Sequence, residues 1–151
     1  MIKFLEVDEK FLKYDAHAPQ MPVRATKTSV CYDFFSPIDV TLPAHKITLV
    51  FTNVKAIFDG TTALILATRS SMGLKGITLA NGIGIIESDY ANNPSNDGNL
   101  GFALFNTTDN DYVIKRGEKL GQGMFIPFLT VTDEAEITTT RTGGFGSTGN
   151  K

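Results

Sequence analysis

The stretch from His45 to Thr68, HKITLVFTNVKAIFDGTTALILAT, decides the fold class. It opens on an apolar and β-branched run, His45 to Thr52, turns at Asp59-Gly60 and closes on a second such run, Thr62 to Thr68. Both runs have the length and composition of strands and neither carries a 3.6-residue apolar repeat. Working outward, Val, Ile and Thr supply 38 of the 151 residues, and their stiff side chains suit a pleated surface better than a helix. The same pattern predicts strands at Ile2 to Val7, Val30 to Phe34, Ile38 to Leu42, Gly84 to Ser88, Leu100 to Asn106, Tyr112 to Lys115 and Leu120 to Phe128. Turn signals separate them at Ser36-Pro37, Leu42-Pro43, Asn81-Gly82, Asn92-Asn93-Pro94 and Arg116-Gly117. Glu9 to Tyr14 and Ser70 to Lys75 each have room for a helical turn and no more. The expectation is an all-β chain built as a sandwich, jelly roll or small barrel.

A chain of 151 residues and 16.4 kDa is one domain's worth. Its apolar runs fall far short of a bilayer span, so no membrane is expected as a partner. Glu6, Asp8 and Glu9 interrupt the first residues too early for a secretory signal, which points to a cytoplasmic location. One cysteine, Cys31, and two histidines, His17 and His45, are too few for an internal disulfide or a zinc site. With 14 basic against 16 acidic residues and no cluster of Lys or Arg, long nucleic acid is not an expected partner. A small phosphorylated ligand needs only two or three placed arginines and a divalent cation, so the four arginines direct the search.

Arg69-Ser70-Ser71-Met72-Gly73 follows the second run directly. A guanidinium fork, two hydroxyls and a flexible backbone suit phosphate oxygens, and a plain polar turn accounts for the same residues. Leu79 to Ile86 reads as a hairpin bent at Asn81-Gly82, whose backbone has groups to offer the edge of a base. Beyond it, alternation sets Glu87 on a face with Ile83 and Ile85, and Tyr90 on the other. Glu87 is then either a general base in a partly dry site or a strand-end charge reaching solvent. Asn93 to Gly98 resembles a calcium loop, but the twelfth position is Leu104 rather than an acid, and it reads as a hairpin loop. Thr138 to Lys151 holds five threonines, four glycines and one large apolar residue, Phe145. It reads either as a frayed tail or as an arm that closes over a ligand.

Taken in order, these segments resemble the five motifs of the homotrimeric deoxyuridine triphosphatases (dUTPases). They are Tyr32-Asp33, Arg69 to Gly73, Asn81 to Tyr90, Gly117-Glu118-Lys119-Leu120-Gly121-Gln122, and Gly143 to Gly149. The loop Asn92 to Gly98 further resembles dUTPases of phages and prophages of Gram-positive bacteria. The resemblance implies a distorted jelly roll (β-clip) over residues 1–137, a flexible arm over 138–151, and a homotrimer with sites at subunit interfaces. It implies Mg²⁺-dependent hydrolysis of dUTP to dUMP and pyrophosphate, with water attacking the α-phosphorus. Carried onto this chain, Glu87 is the catalytic base, and Asp33 acts on the metal through its water shell. Asn81 and the backbone of Gly84, Ile85 and Ile86 read uracil, and Tyr90 packs beneath deoxyribose. Arg69, Ser70, Ser71 and Gln122 hold the phosphates, Phe145 stacks on uracil, and Arg141, Gly146, Ser147 and Thr148 close around the γ-phosphate end.

The chain departs from the family pattern at three places. Ile86-Glu87-Ser88-Asp89-Tyr90 carries Glu where Asp is usual, which predicts either a slow enzyme, as a substitution made to trap substrate would give, or local compensation. Only three residues separate Arg141 from Phe145, where many relatives have four, and Cys31 stands where glycine commonly precedes Tyr-Asp. The alternative function is a nucleotide-gated regulatory protein of phage type, binding a protein partner and hydrolysing weakly.

Overall fold

The computed structural model describes residues 1–145, and short strands dominate them. In chain order they are β1 Lys3–Glu6, β2 Val23–Arg24, β3 Tyr32–Phe35, β4 Val40–Leu42, β5 Ile47–Phe51, β6 Val54–Ile57 and β7 Thr62–Ala67. After a single helical turn, α1 Ser70–Gly73, come β8 Ile77–Leu79, β9 Gly84–Ile86, β10 Gly101–Asn106, β11 Tyr112–Ile114 and β12 Lys119–Pro127. Every strand expected from the sequence is present, most of them shortened, with β3 running on to Phe35 and β12 shifted by one residue, and the helical turns form at Glu9–Phe11 and at α1. Strands β2, β6 and β8 were not expected. They have two to four residues each, too few for alternation to be legible.

All pairings are antiparallel. A five-stranded sheet runs β2-β3-β12-β7-β9, a three-stranded sheet runs β5-β10-β8, and the pairs β11-β4 and β1-β6 close the remaining sides. Alternation explains the layering: along β10 Phe102, Leu104 and Asn106 turn inward while Ala103 and Phe105 turn away. Phe34, Leu64, Leu66 and Leu120 of the large sheet meet Val50, Leu79, Phe102 and Leu104 of the smaller one in one core. The Phe34 and Phe102 rings join the layers at 5.5 Å between centroids. This is the two-layer packing of a jelly roll.

Two loops depart from the expected hairpins. β8 and β9 flank Asn81-Gly82 but do not pair, because β8 joins β10 and β9 joins β7. The loop Asn93 to Gly98 likewise carries the chain from one sheet to the other, since β9 and β10 have different partners. Within it Asn93 and Asp97 are buried, as is Asn99 immediately after it, while Pro94 and Ser95 face outward. Buried polar groups need partners, and here Lys55 Nζ meets Asp97 Oδ2 at 2.8 Å while Asn53 and Asn99 bond each other. Among the described residues no buried side-chain nitrogen or oxygen lacks a partner. No described helix is long and apolar enough to cross a membrane.

Candidate active site

Strand β9 is the outer strand of the five-stranded sheet, paired on one side only, with Leu66 opposite Gly84 and Ile65 opposite Ile85. Its other edge has no strand partner among the described residues, so backbone N–H and C=O groups there are available to a ligand. The expected alternation holds: Ile83, Ile85 and Glu87 share an exposed face. The strand stops at Ile86, however, and Ser88–Tyr90 form a 3₁₀ turn closed by Tyr90 N–H to Glu87 C=O at 3.1 Å. That turn carries Tyr90 inward until its side chain is only 5% exposed.

A cavity of about 170 Å³ opens between this edge and the tail, lined among others by Asn81, Gly84, Ile85, Ile86, Glu87 and Tyr90. It is smaller than the roughly 300–1,000 Å³ of a site enclosing a whole drug-sized ligand, and so has the scale of one planar ring rather than a nucleotide. Tail residues Arg141, Gly144 and Phe145 complete the lining. The Arg141 guanidinium donates from Nη2 to Glu87 Oε2 and from Nε to Asp89 Oδ1, both at 2.8 Å. Phe145 meets Phe51 edge to face at 5.9 Å between centroids. Gly144 lies so close to the Tyr90 ring that a β-carbon there would overlap it. Of the proposed γ-phosphate group, Arg141 thus sits at the carboxylates, and Gly146, Ser147 and Thr148 lie outside the described residues.

The phenol of Tyr90 donates to Asn99 C=O at 3.1 Å and accepts from Asn96 Nδ2 at 2.8 Å. Burial raises its pKa above the usual phenol value, and the Asn96 donor and the Arg141 charge oppose that rise. A raised pKa means that the neutral phenol is favoured by folding. Its contribution is complete below the unfolded phenol's pKa of about 10 and is lost as pH rises through the folded value. Tyr90→Phe is therefore expected to flatten the fall of thermal midpoint between pH 9 and 11. An unchanged slope would show that this phenol does not set it.

A second group gathers where β7, β12 and α1 meet. Asp33, 5% exposed, accepts from Arg69 Nε at 3.0 Å and from Lys119 Nζ at 2.7 Å. Gln122 stands opposite Asp33 in the β12–β3 ladder and donates to Thr68 C=O at 3.1 Å. Ser70 and Ser71 are exposed on α1 immediately beyond Arg69. One depression is lined by Arg69, Ser71 and Lys119, and another by Asp33, Arg69 and Gln122. The ring-sized cavity at β9 includes none of Arg69, Ser70, Ser71 and Gln122, so the two groups of residues line separate hollows.

Sequence reading missed Lys119 as a partner of Asp33. It lies three positions before Gln122, an odd offset that puts the two on opposite faces of a regular strand. A bulge between Lys119 and Gly121 restores them to one face. It missed Asp89 and Phe51 as well, whose roles come from the tail folding back over more than fifty residues.

A family model described as dUTPase matches residues 17–149. The deoxyuridine 5'-triphosphate nucleotidohydrolase of Lactococcus lactis is 39% identical over 143 residues, covering 93% of this chain and 95% of its own. The mitochondrial enzyme of the same name from Dictyostelium discoideum is 37% identical, covering 87% and 72%. The crystal structure of dUTPase from Streptococcus mutans aligns with a TM-score of 0.74 at 35% identity, over 85% of this chain and 97% of that one. The dUTPase from phage phi11 of S. aureus aligns at 0.70 with 21% identity, over 94% and 99%, a likeness of fold.

Proposed function

Because the chain belongs to the dUTPase family, and is a dUTP diphosphatase, we propose that it cleaves dUTP to dUMP and pyrophosphate by attack of water on the α-phosphorus, with Glu87 as general base. The observation that carries this reading is the ring-sized cavity between the open edge of β9 and Tyr90, with a carboxylate at its rim.

In this reading Asn81 and the free backbone groups of Gly84, Ile85 and Ile86 pair with the edge of uracil. Tyr90 supports the deoxyribose, and Phe145 covers the base. Glu87 takes a proton from the attacking water, and Arg69, Ser70, Ser71 and Gln122 orient the phosphates, joined by Lys119, whose charge lies beside Arg69. Residues 138–151 act as the arm over the body of 1–137, excluding bulk water and so strengthening each electrostatic contact. The separation of the two half-sites supports assembly at an interface between copies in a homotrimer, one copy supplying the β9 cavity and another the cationic shelf.

The metal in this reading is Mg²⁺. Among the described residues no group of three or more His, Cys, Asp or Glu could hold an ion. Asp33 has one basic group on each carboxylate oxygen, which leaves it fit for contact through water rather than direct ligation. That donor set fits an ion carried on substrate phosphates, as Mg²⁺ prefers. When bound it supplies neutralisation of the triphosphate's charge.

The test is a panel of nucleoside triphosphates with Mg²⁺ in ¹⁸O-labelled water. Pyrophosphate is expected from dUTP alone, with the label in dUMP. Turnover of dCTP or dTTP at similar rates overturns the substrate, and label in pyrophosphate overturns the site of attack. A cytoplasmic location is proposed with it. The second reading, a nucleotide-gated regulator, is favoured by Glu87 in place of the usual Asp. The Staphylococcus phage 80alpha dUTPase, of like fold, is described as controlling transfer of virulence genes by a G protein-like mechanism. Tight dUTP binding with little hydrolysis and a partner recovered by pull-down would support that reading here.

A further inference from the structure

Tyr90 is held at both ends by residues that no motif contains. Its carbonyl accepts from Asn93 Nδ2 at 2.7 Å, and its phenol oxygen, at the far end of the ring, accepts from Asn96 Nδ2 at 2.8 Å. The orientation of the Asn96 amide is dictated by its other end. Asn96 Oδ1 accepts from Asn93 Nδ2 at 2.7 Å and from Gly98 N–H at 3.0 Å, so only the NH₂ is left to face the tyrosine. The phenol oxygen must then accept, and its own proton has one place to go, the Asn99 carbonyl at 3.1 Å. Asp97, between these residues, anchors the loop to the body through Lys55 at 2.8 Å and the Asp8 N–H at 2.7 Å. The ring is therefore fixed in position and the hydroxyl in direction, by a loop that does not line the cavity.

We propose that Asn96 is a specificity-determining positioning residue, which holds the Tyr90 ring rigid enough to exclude the 2′-hydroxyl of a ribonucleotide. The inference rests on the reading that Tyr90 lies beneath the sugar. Physically, dUTP and UTP differ by one oxygen atom, and a steric barrier against one atom works only if the wall cannot retreat by a comparable distance. A shift on the order of 1 Å changes reaction rates about a hundredfold in well-fitted sites. Two hydrogen bonds at the phenol and one at the backbone resist such a shift, and loss of the Asn96 donor leaves the far end of the ring tied by the Asn99 carbonyl alone.

The experiment measures kcat and KM for dUTP and for UTP in the full chain, Asn96→Ala, Tyr90→Phe, the double variant and Tyr90→Ala, with thermal midpoints for each. Asn96→Ala is expected to keep kcat for dUTP within about threefold. Its ratio of kcat/KM for dUTP over UTP is expected to fall at least tenfold, mainly through gain of UTP turnover. Tyr90→Phe keeps the ring and the whole loop but removes the hydroxyl, and the same ratio should fall similarly. The double variant should be no less selective than Tyr90→Phe, because Asn96 acts through that hydroxyl. Unchanged selectivity in a folded Asn96→Ala, or a further loss in the double variant, overturns the proposal. Should Asn96→Ala fail to fold, unchanged selectivity in Tyr90→Phe overturns it alone. If Tyr90→Ala leaves selectivity intact, the sugar assignment itself falls and the proposal with it. Selectivity lost in Tyr90→Ala but kept in Asn96→Ala overturns only the role of Asn96.

Discussion

Glu87→Gln is expected to lower kcat for dUTP by about 10²–10⁴-fold, the usual contribution of a general base. The substitution keeps the size and hydrogen-bonding reach of the side chain and removes its ability to take a proton. Binding of a nonhydrolysable dUTP analogue, followed by calorimetry, should change only a few-fold. A Glu87→Gln protein that retains more than a tenth of the activity would remove Glu87 from the mechanism. Glu87→Asp should move rate in the opposite direction. The added methylene of Glu displaces the carboxylate by about 1.5 Å, one C–C bond, and misplacement on that scale costs about a hundredfold. Glu87→Asp is thus expected to raise kcat by tenfold or more, and equal rates would show that the site accommodates the longer side chain. The contact with Arg141 bears on this result. Glu87 and Asp89 are each more than half exposed, and Arg141 bridges them. Arg141 engages Oε2 of Glu87, which leaves Oε1 as the oxygen placed to take a proton from water.

Phe102→Ala is expected to cost about 3–5 kcal/mol of stability, on the order of 10 °C in thermal midpoint for a chain of this size. Phe102 is fully buried, joins the two sheets through Phe34, and occupies the space beside Gly121. Gly121 has no side chain because the ring of Phe102 and the carbonyl of Ala67 fill the place where a β-carbon would stand. Gly121→Ala should therefore cost about 1–3 kcal/mol through overpacking. Combined, the two substitutions should cost less than their sum, because removal of the ring makes room for the new methyl. Strict additivity in chemical denaturation would show that the glycine is required for some other reason. The consequence reaches the site, since Gly121 precedes Gln122 on β12 and stands between it and Lys119.

Much of the candidate site is legible in the sequence alone. Asn81, Gly84, Ile85, Ile86, Glu87 and Tyr90 lie within ten residues of one another, and a short segment carries its own geometry. Their meeting at one cavity needed only a strand and a turn. The residues that act from afar were not legible. Lys119 was hidden by a bulge that reverses its face, and the Asn93–Gly98 loop read as a hairpin because its asparagines suit a turn as well as they suit a buried network. The family resemblance implies a phosphate role for Arg141, while its two carboxylate partners are 52 and 54 residues distant in the chain.

The sequence by itself determined that the chain is β-rich, where most strands run, and which motifs stand in which order. Those are properties of single segments, because alternation and β-branched stiffness act between neighbouring residues. Only the tertiary structure decided that β9 lies at a sheet edge with free backbone groups, that Asp33 meets both Arg69 and Lys119, and that Asn96 grips Tyr90. Edges, partners and register are relations between segments, and they follow from which faces can be buried together, as in the bond from Asp8 to Asp97 across 89 residues. No local pattern encodes a contact of that range.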